Sequence, residues 1–435
     1  MTGLALFICL PHTIPMNHDF FTIISREAFE DLLRTFAPLP TEKVPLDNAA
    51  GRILGESLQA AHDWPLSDRS CMDGYALDAR DAFGASEQNP VYMDCVGAPN
   101  VDANPDMEIA PGQCVRIATG GSLPEGADSV VMVEHTVSMD DWDEGTATGT
   151  IEIRKAAAPG LNVMRKGEDA KSGGVALAAG VELGFREIGL GAALGFTEMT
   201  VFSRARVGIV STGDELVGVD QEPRVGQVRD VNSYTLAFSA RRAGALVRTY
   251  GIVPDDIAGL TAAVKLAVSE NDLVLLSGGS SIGVRDLTVQ AVEAQPDSEI
   301  LAHGVAISPG KPTILGRVGD TPIVGLPGQV ASAQVVMFCL VVPFIRYLQG
   351  QEHAFDVAKR PVRQAVLARN VPSRQGREDF VRVRLEERFG QLPLAHPVLG
   401  KSGLLRTLIE SQGLTVIPAD AEGAYKDAMV DVWII

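Results

Sequence analysis

The sequence predicts a multidomain α/β-plus-β protein, in which a three-layer α/β unit is preceded by a β-rich unit and followed by a small β-barrel or sandwich. Three observations predict it. Strands alternate with helices from Arg206 onward, short β-like runs lie between Gly, Pro and Asp clusters from about Trp64 to Arg154, and the tail from Pro361 to Ile435 is strand-rich. With 435 residues, 46% of them hydrophobic, 21% charged, 44 glycines and 25 prolines, the chain is that of a globular protein with many tight turns, of roughly two to four domains.

In chain order, SREAFEDLLRTF from Ser25 to Phe36 carries a Ser cap, first-turn acids and apolar residues at helical spacing, which predicts an amphipathic packing helix. VPLDNAAGRIL reads as a strand entering a short helix. CVRIAT and SVVMVEHTV are strands of a small all-β unit, with SMDDWDEGTATGT as a polar hairpin tip whose acids form a solvated face. Next come RVGIVST, a helical NSYTLAFSARRAG, LVRTYGIV, a helical DIAGLTAAVKLAVSE, DLVLLSGG and TPIVGLPG with a long apolar helix. That alternation predicts a parallel sheet covered on both faces, with ligands expected at the carboxyl ends of its strands. Glycine turns follow three of those strands, at Gly213, at Gly278 with Gly279, and at Gly328. RYLQGQEHAFDVAKR reads as a linker, and RQAVLARNV, DFVRVRLEE, GLTVIPA and MVDVWII as strands of the tail.

A formal charge of −18 argues against a nucleic-acid or anionic-membrane surface, since both need a basic field. An anionic substrate would need local help from a few Lys or Arg residues, backbone N–H groups or a divalent cation. Five scattered cysteines without a CxxC pair fit a reducing cytosol, so a cytoplasmic protein is expected. The opening MTGLALFICLPHTIPMNHDF has no basic residue before its apolar run and is too short to span a bilayer. It reads as an upstream start or a flexible extension over residues 1–19, with Met16 the expected beginning of the folded protein.

Five constellations carry candidate chemistry. VSTGDELVG sets Asp214 and Glu215 after a Ser-Thr-Gly turn, where adjacent carboxylates bind magnesium or cap a helix N-terminus. LLSGGSSIGVRDLT offers Ser277, Gly278, Gly279 and Ser281 ahead of Asp286; it is either an oxyanion-cradling loop or a structural turn, and it lacks the Walker lysine. In HGVAISPGKPTILG, Lys311 stands in a Gly310–Pro312 frame, as a point charge for an anion or as a solvated loop lysine. RKGEDA sets Glu168 and Asp169 beside Arg165 and Lys166, as in a self-compensated surface loop. DRSCMDGYAL places Asp73 on a turn, with a companion turn at Thr119, Gly120 and Gly121; nearby Cys71 reads as a small loop residue, with no resolving partner for a redox role.

Together CMDGYA, RIATGGSLPEGAD, KGEDA, STGDEL, SGGSSIGVRD, SPGKPTILG, GLPG and the SGLLRTL…GLTVIPA tail resemble the molybdopterin molybdenumtransferases, the MoeA type also found as the E domain of gephyrin. The resemblance covers nearly the whole chain after Met16. It implies a discontinuous first domain (20–62 and 155–203), a β-rich insertion (63–154), a MogA-like molybdopterin-binding domain (204–349) and a C-terminal β-barrel (357–435). It also implies a homodimer whose active site lies between the third and fourth domains of one subunit and the second of the other, so that Asp73 is carried to the partner's site.

The implied reaction takes adenylylated molybdopterin and molybdate, inserts molybdenum at the dithiolene and releases AMP, with Mg²⁺ required. By matching positions, Lys311, Arg377 and Ser402 are expected to hold molybdate, and Asp214, Glu215 and Asp286 to bind magnesium, with Asp73 as a fourth carboxylate in the chemistry. Thr119, Asp169, Asp255, Asp256 and Ser332 are further expected site positions, beside the Ser277–Ser281 loop. Molybdopterin adenylyltransferase and molybdoenzyme apoproteins or their chaperones are the further partners implied. This chain has Ser308 where a lysine often precedes PGKP, Gln329 in GLPGQ where asparagine is usual, and Ser280 in place of a common valine. Those departures bear on oxyanion affinity and on the choice between molybdate and tungstate. A molybdopterin adenylyltransferase and a non-catalytic cofactor-binding scaffold are the competing readings.

Overall fold

A computed structural model describes residues 23–102, 107–139, 148–278 and 282–435, with backbone only over 282–286. The expected extension 1–19, the tip of the hairpin loop, and Gly279, Ser280 and Ser281 lie outside the described residues. The chain divides into two compact units, 41–201 and the remainder.

In the 41–201 unit, a six-stranded sheet runs in the order Ser129–Met132, Gly74–Leu77, Gln113–Ile117, Val91–Cys95, Gly149–Ile153, Thr136–Ser138. The predicted SVVMVEHTV strand is broken by a 3₁₀ turn at Val133–His135. Its two halves therefore pair with different strands, Gly74–Leu77 and Gly149–Ile153. Leu77, Met93, Ile151 and Ile153 fill this sheet's core. Segments before and after the sheet pair with one another: Thr41–Pro45 with Glu198–Phe202, Leu58–Gln59 with Val175–Leu177, and Arg69–Ser70 with Val163–Met164. They close over a separate cluster that includes Leu54, Leu183, Met199 and Val201.

The second unit is built on a six-stranded sheet in the order Leu246–Val253, Arg206–Thr212, Leu273–Gly278, Thr321–Pro327, Ile314–Val318, Ser298–His303. The first four strands are parallel, as the alternation predicts. Ile314–Val318 runs antiparallel to both neighbours, so the sheet is mixed rather than all-parallel, because a two-residue turn returns the chain directly into Thr321–Pro327. Side chains alternate strictly. Val207, Ile209, Leu273, Leu275, Val324 and Leu326 face one core, while Val210, Val274, Leu276 and Ile323 face the other. Helices Asn232–Arg242 and Val330–Val336, with the turns that continue the latter to Leu348, cover the first face. Helices Ile257–Glu270 and Ile282–Glu293 cover the second, which completes the three layers.

Helix Arg26–Leu33 starts at Ser25, whose hydroxyl accepts from Ala28 N, and it buries Phe29 and Leu33 in the first core. The apolar stretch Val330–Leu348 is long enough to cross a membrane, but it is largely buried here as a core helix. Met337–Val341 within it forms a π turn, and Pro343 provides the cause: it offers no N–H to the Cys339 carbonyl, which accepts instead from Arg360 Nη2 at 3.1 Å. The expected linker is therefore packed rather than loose. Phe355 is 3% exposed, and Arg360 stacks 4.5 Å from the Trp433 ring centre.

The tail closes into a five-stranded barrel. Val362–Leu367, Leu394–Pro397, Glu378–Glu386, Gly413–Ile417 and Met429–Ile434 each pair with two neighbours around the ring, enclosing Leu367, Val381, Val383, Ile417 and Val432. A short strand, Ile307–Ser308, adds to Glu378–Glu386 with Ser308 opposite Asp379. This pairing fastens the loop that carries Lys311 to the barrel.

Candidate functional site

At the carboxyl ends of the parallel strands, a cleft of about 280 Å³ is lined by Gly278, Ser308, Gly310, Lys311, Gln329, Ser332 and Arg377, among others. It thus brings together four of the expected site residues, Gly278, Lys311, Ser332 and Arg377, with Ser308 and Gln329, the two departures noted in SPGKP and GLPGQ. The geometry around Lys311 explains the motif. Gly310 has φ +130°, and a Cβ there would lie 2.7 Å from Ile307 and 2.8 Å from Val336, so only glycine fits. The Lys311 carbonyl accepts from Val305 N, and Thr313 Oγ1 donates to the Gly310 carbonyl at 2.7 Å, which clamps the loop from both sides. The exposed Lys311 ammonium has no hydrogen-bond or ion-pair partner among the described residues.

Arg377 reaches the cleft from the barrel. Its Nε lies 3.1 Å from Asp379 Oδ1, outside hydrogen-bonding alignment, and both atoms are buried without a hydrogen bond. Ser402 is not part of the lining. Its carbonyl accepts from Ala331 N, next to Ser332, so the barrel loop sits on the start of helix Val330–Val336. Ser277 is 2% exposed, and its hydroxyl accepts from Asn232 Nδ2, which also donates to the Gly328 carbonyl, each at 2.9 Å. Asn232 thereby ties together the turns after two adjacent strands; no spacing in the sequence announced it.

Asp214 and Glu215 do not cap a helix. A short strand, Leu216–Val217, follows them, and the next helix starts at Asn232, which removes the capping alternative. Asp255 and Asp214 instead lock two strand ends. Asp255 N donates to Asp214 Oδ1 at 3.1 Å, and Thr212 Oγ1 donates to Asp255 Oδ1 at 2.8 Å. Asp256 is the N-cap of helix Ile257–Glu270, accepting from Ala258 N and Gly259 N, which is a structural duty. Among the described residues no three His, Cys, Asp or Glu side chains gather as a metal site. The third expected carboxylate, Asp286, lies on helix Ile282–Glu293 with its side chain outside the described residues, as are Gly279 and Ser281. Asp214 and Glu215 are nonetheless the hard oxygen donors that magnesium takes.

In the 41–201 unit, Asp73 is exposed on the turn that opens strand Gly74–Leu77. A Cβ on Gly74 would meet the Val131 carbonyl oxygen at 2.0 Å, so the strand end is held against its neighbour and Asp73 is placed by the backbone. Asp73 Oδ1 accepts from Thr119 N at 2.6 Å and from Thr119 Oγ1 at 2.9 Å. Those donors, the backbone N–H foremost, hold its carboxyl below the usual aspartate range. Thr119 therefore serves Asp73. The KGEDA loop is compensated differently from the sequence reading. Arg165 pairs with Asp68 and Lys166 with Asp63, Glu168 caps the Arg165 N–H, and the exposed Asp169 carboxylate has no partner among the described residues.

Comparison with known proteins matches residues 23–195 to the MoeA N-terminal region (domains I and II), 208–347 to a probable molybdopterin-binding domain and 364–435 to the MoeA C-terminal region (domain IV). Molybdopterin molybdenumtransferase 2 of Mycobacterium tuberculosis is 34% identical over 408 residues, covering 93% of this chain and 96% of that protein. The Haemophilus influenzae molybdopterin molybdenumtransferase is 35% identical over 346 residues, 79% of this chain and 81% of its own. A crystal structure of a MoeA molybdopterin biosynthesis protein from Pyrococcus horikoshii superposes with a TM-score of 0.75 at 33% identity, covering 95% of this chain and 99% of that one. Another from the same organism gives 0.79 at 27% identity, covering 95% and 100%.

Proposed function

This chain belongs to the MoeA family of molybdopterin molybdenumtransferases, and from that premise we propose how it inserts molybdenum during molybdenum cofactor biosynthesis. The substrates are adenylylated molybdopterin and molybdate, and the products are the molybdenum-loaded dithiolene and AMP. The observation that carries this is the cleft, where the Lys311 ammonium, without a partner among the described residues, meets Arg377 and Ser332 at the carboxyl ends of the parallel strands.

Lys311 and Arg377 attract the tetrahedral dianion, Ser332 orients it while the Ser402 carbonyl steadies the start of its helix, and Gly278, backed by buried Ser277, takes the pterin-linked phosphate together with Gly279 and Ser281. As molybdate exchanges one oxo group for two dithiolene sulfurs, the thiol protons leave with that oxygen as water. Hydrolysis of the anhydride consumes one water and releases AMP. Asp214 and Glu215, with Asp286, would hold magnesium, which when bound draws charge from the pyrophosphate. Asp73, with Thr119 and Asp169, serves the site of the second subunit of a cytoplasmic homodimer, and Asp255 keeps Asp214 in place.

AMP release from adenylylated molybdopterin with magnesium is the test, comparing molybdate, tungstate and no oxyanion. Oxyanion-dependent release is expected, and it should fall in Asp73→Ala and Asp286→Ala, with the latter losing its magnesium dependence. Preference for tungstate would revise the substrate. ATP-dependent adenylylation would favour an adenylyltransferase, and no release from a folded dimer would favour a cofactor-binding scaffold.

A further inference from the structure

From the barrel side of the cleft we infer that Asp379 is an affinity-setting residue: it neutralises Arg377, so that Lys311 is the one uncompensated cation facing the oxyanion among the described residues. The inference rests on the reading of the cleft as an oxyanion site.

Asp379 sits at an inward position of strand Glu378–Glu386, two residues before Val381, where the alternation calls for an apolar side chain. It is 8% exposed. Burying a carboxylate there is costly unless it is paired. Its Oδ2 accepts from Ser373 Oγ at 2.6 Å and lies 3.5 Å from Arg377 Nη2, while Oδ1 stands 3.1 Å from Arg377 Nε. The carboxylate thus faces the Nε edge of the guanidinium, and Ser373 fixes it there. Strand pairing sets Asp379 opposite Ser308, so this negative charge lies beside the cleft wall.

A dianion entering the cleft therefore meets two cations and one adjacent anion. The net attraction is close to that of one cation, and selection falls to directional donors instead of raw charge. A cleft that must also discharge its cargo gains from that restraint, since affinity differences appear mainly in the rate of release.

The test is equilibrium binding of molybdate, tungstate and phosphate to the full-length protein by calorimetry. Asp379→Asn keeps shape and an acceptor for Arg377 while removing the charge, and it should bind molybdate roughly tenfold more tightly. Ser373→Ala, which removes the anchoring hydroxyl and no charge, should stay within about twofold. Unchanged or weaker binding in a folded Asp379→Asn protein overturns the inference, leaving Asp379 merely structural. Failure of the underlying reading looks different: wild type would then bind no oxyanion, or bind it equally well after Lys311→Ala.

Discussion

Lys311 and Asp73 are each placed by a neighbouring glycine that tolerates no Cβ, yet their side chains are treated in opposite ways. Around Lys311 the backbone is clamped and the ammonium is left without a partner among the described residues. Around Asp73 the carboxylate itself is held, by the N–H and hydroxyl of Thr119. The difference teaches two ways of preparing a charged side chain: the cation is left open to a counter-charge from outside, whereas the anion is oriented in advance by the protein's own donors.

The comparison breaks most severely at Gly310. Gly310→Ala puts a Cβ into Ile307 and Val336 at φ +130°, and it should cost about 3 kcal/mol in thermal unfolding and abolish oxyanion-dependent AMP release. A stable, active variant would show that the frame is dispensable. Lys311→Ala should separate charge from frame. It is expected to lower kcat/KM for the oxyanion by about 100-fold while stability stays within about 0.5 kcal/mol, read by turnover and thermal melting together.

The smallest effect is on Asp73. Thr119→Val removes the hydroxyl donor but keeps the backbone N–H, which is the larger cause of the depressed pKa, so the midpoint should rise part of the way toward that of ordinary aspartate. The sign follows from the depression: the ionised, hydrogen-bonded form contributes above the unfolded-state pKa and is lost as pH falls through the folded one. In the variant that loss begins at higher pH, and the acid limb of the activity profile moves with it. Carboxyl NMR titration of both proteins reads the midpoint directly, and identical values would remove the Thr119 hydroxyl from the account, leaving its backbone N–H as the cause.

Much of this was legible in the sequence, because periodicity carries the fold. The strands RVGIVST, DLVLLSGG and TPIVGLPG read as continuous apolar runs between helical stretches, and the structure buries them on both faces. The reversed strand Ile314–Val318 was not legible, since direction depends on which neighbour a strand joins rather than on its residues. In the site, Lys311 stood out through its Gly and Pro frame. Asp379 left a fainter trace, an acid at an apolar position of DFVRVRLEE, and Asn232 left none, because its two partners lie 45 and 96 residues away. Asp256 shows a role the motif did not announce: its carboxylate caps helix Ile257–Glu270.

The short strand Ile307–Ser308 has a consequence for the order of assembly. The segment it belongs to is bonded on one side to Ile24 and on the other to Glu378 and Asp379, while Arg26 pairs with Glu378 across 352 residues. During synthesis every strand of the central sheet is complete by Pro327, well before Glu378 exists. The nascent chain can therefore hold a finished sheet and an unfinished anion cleft at the same time, and oxyanion-binding competence should emerge only with the barrel, late in translation.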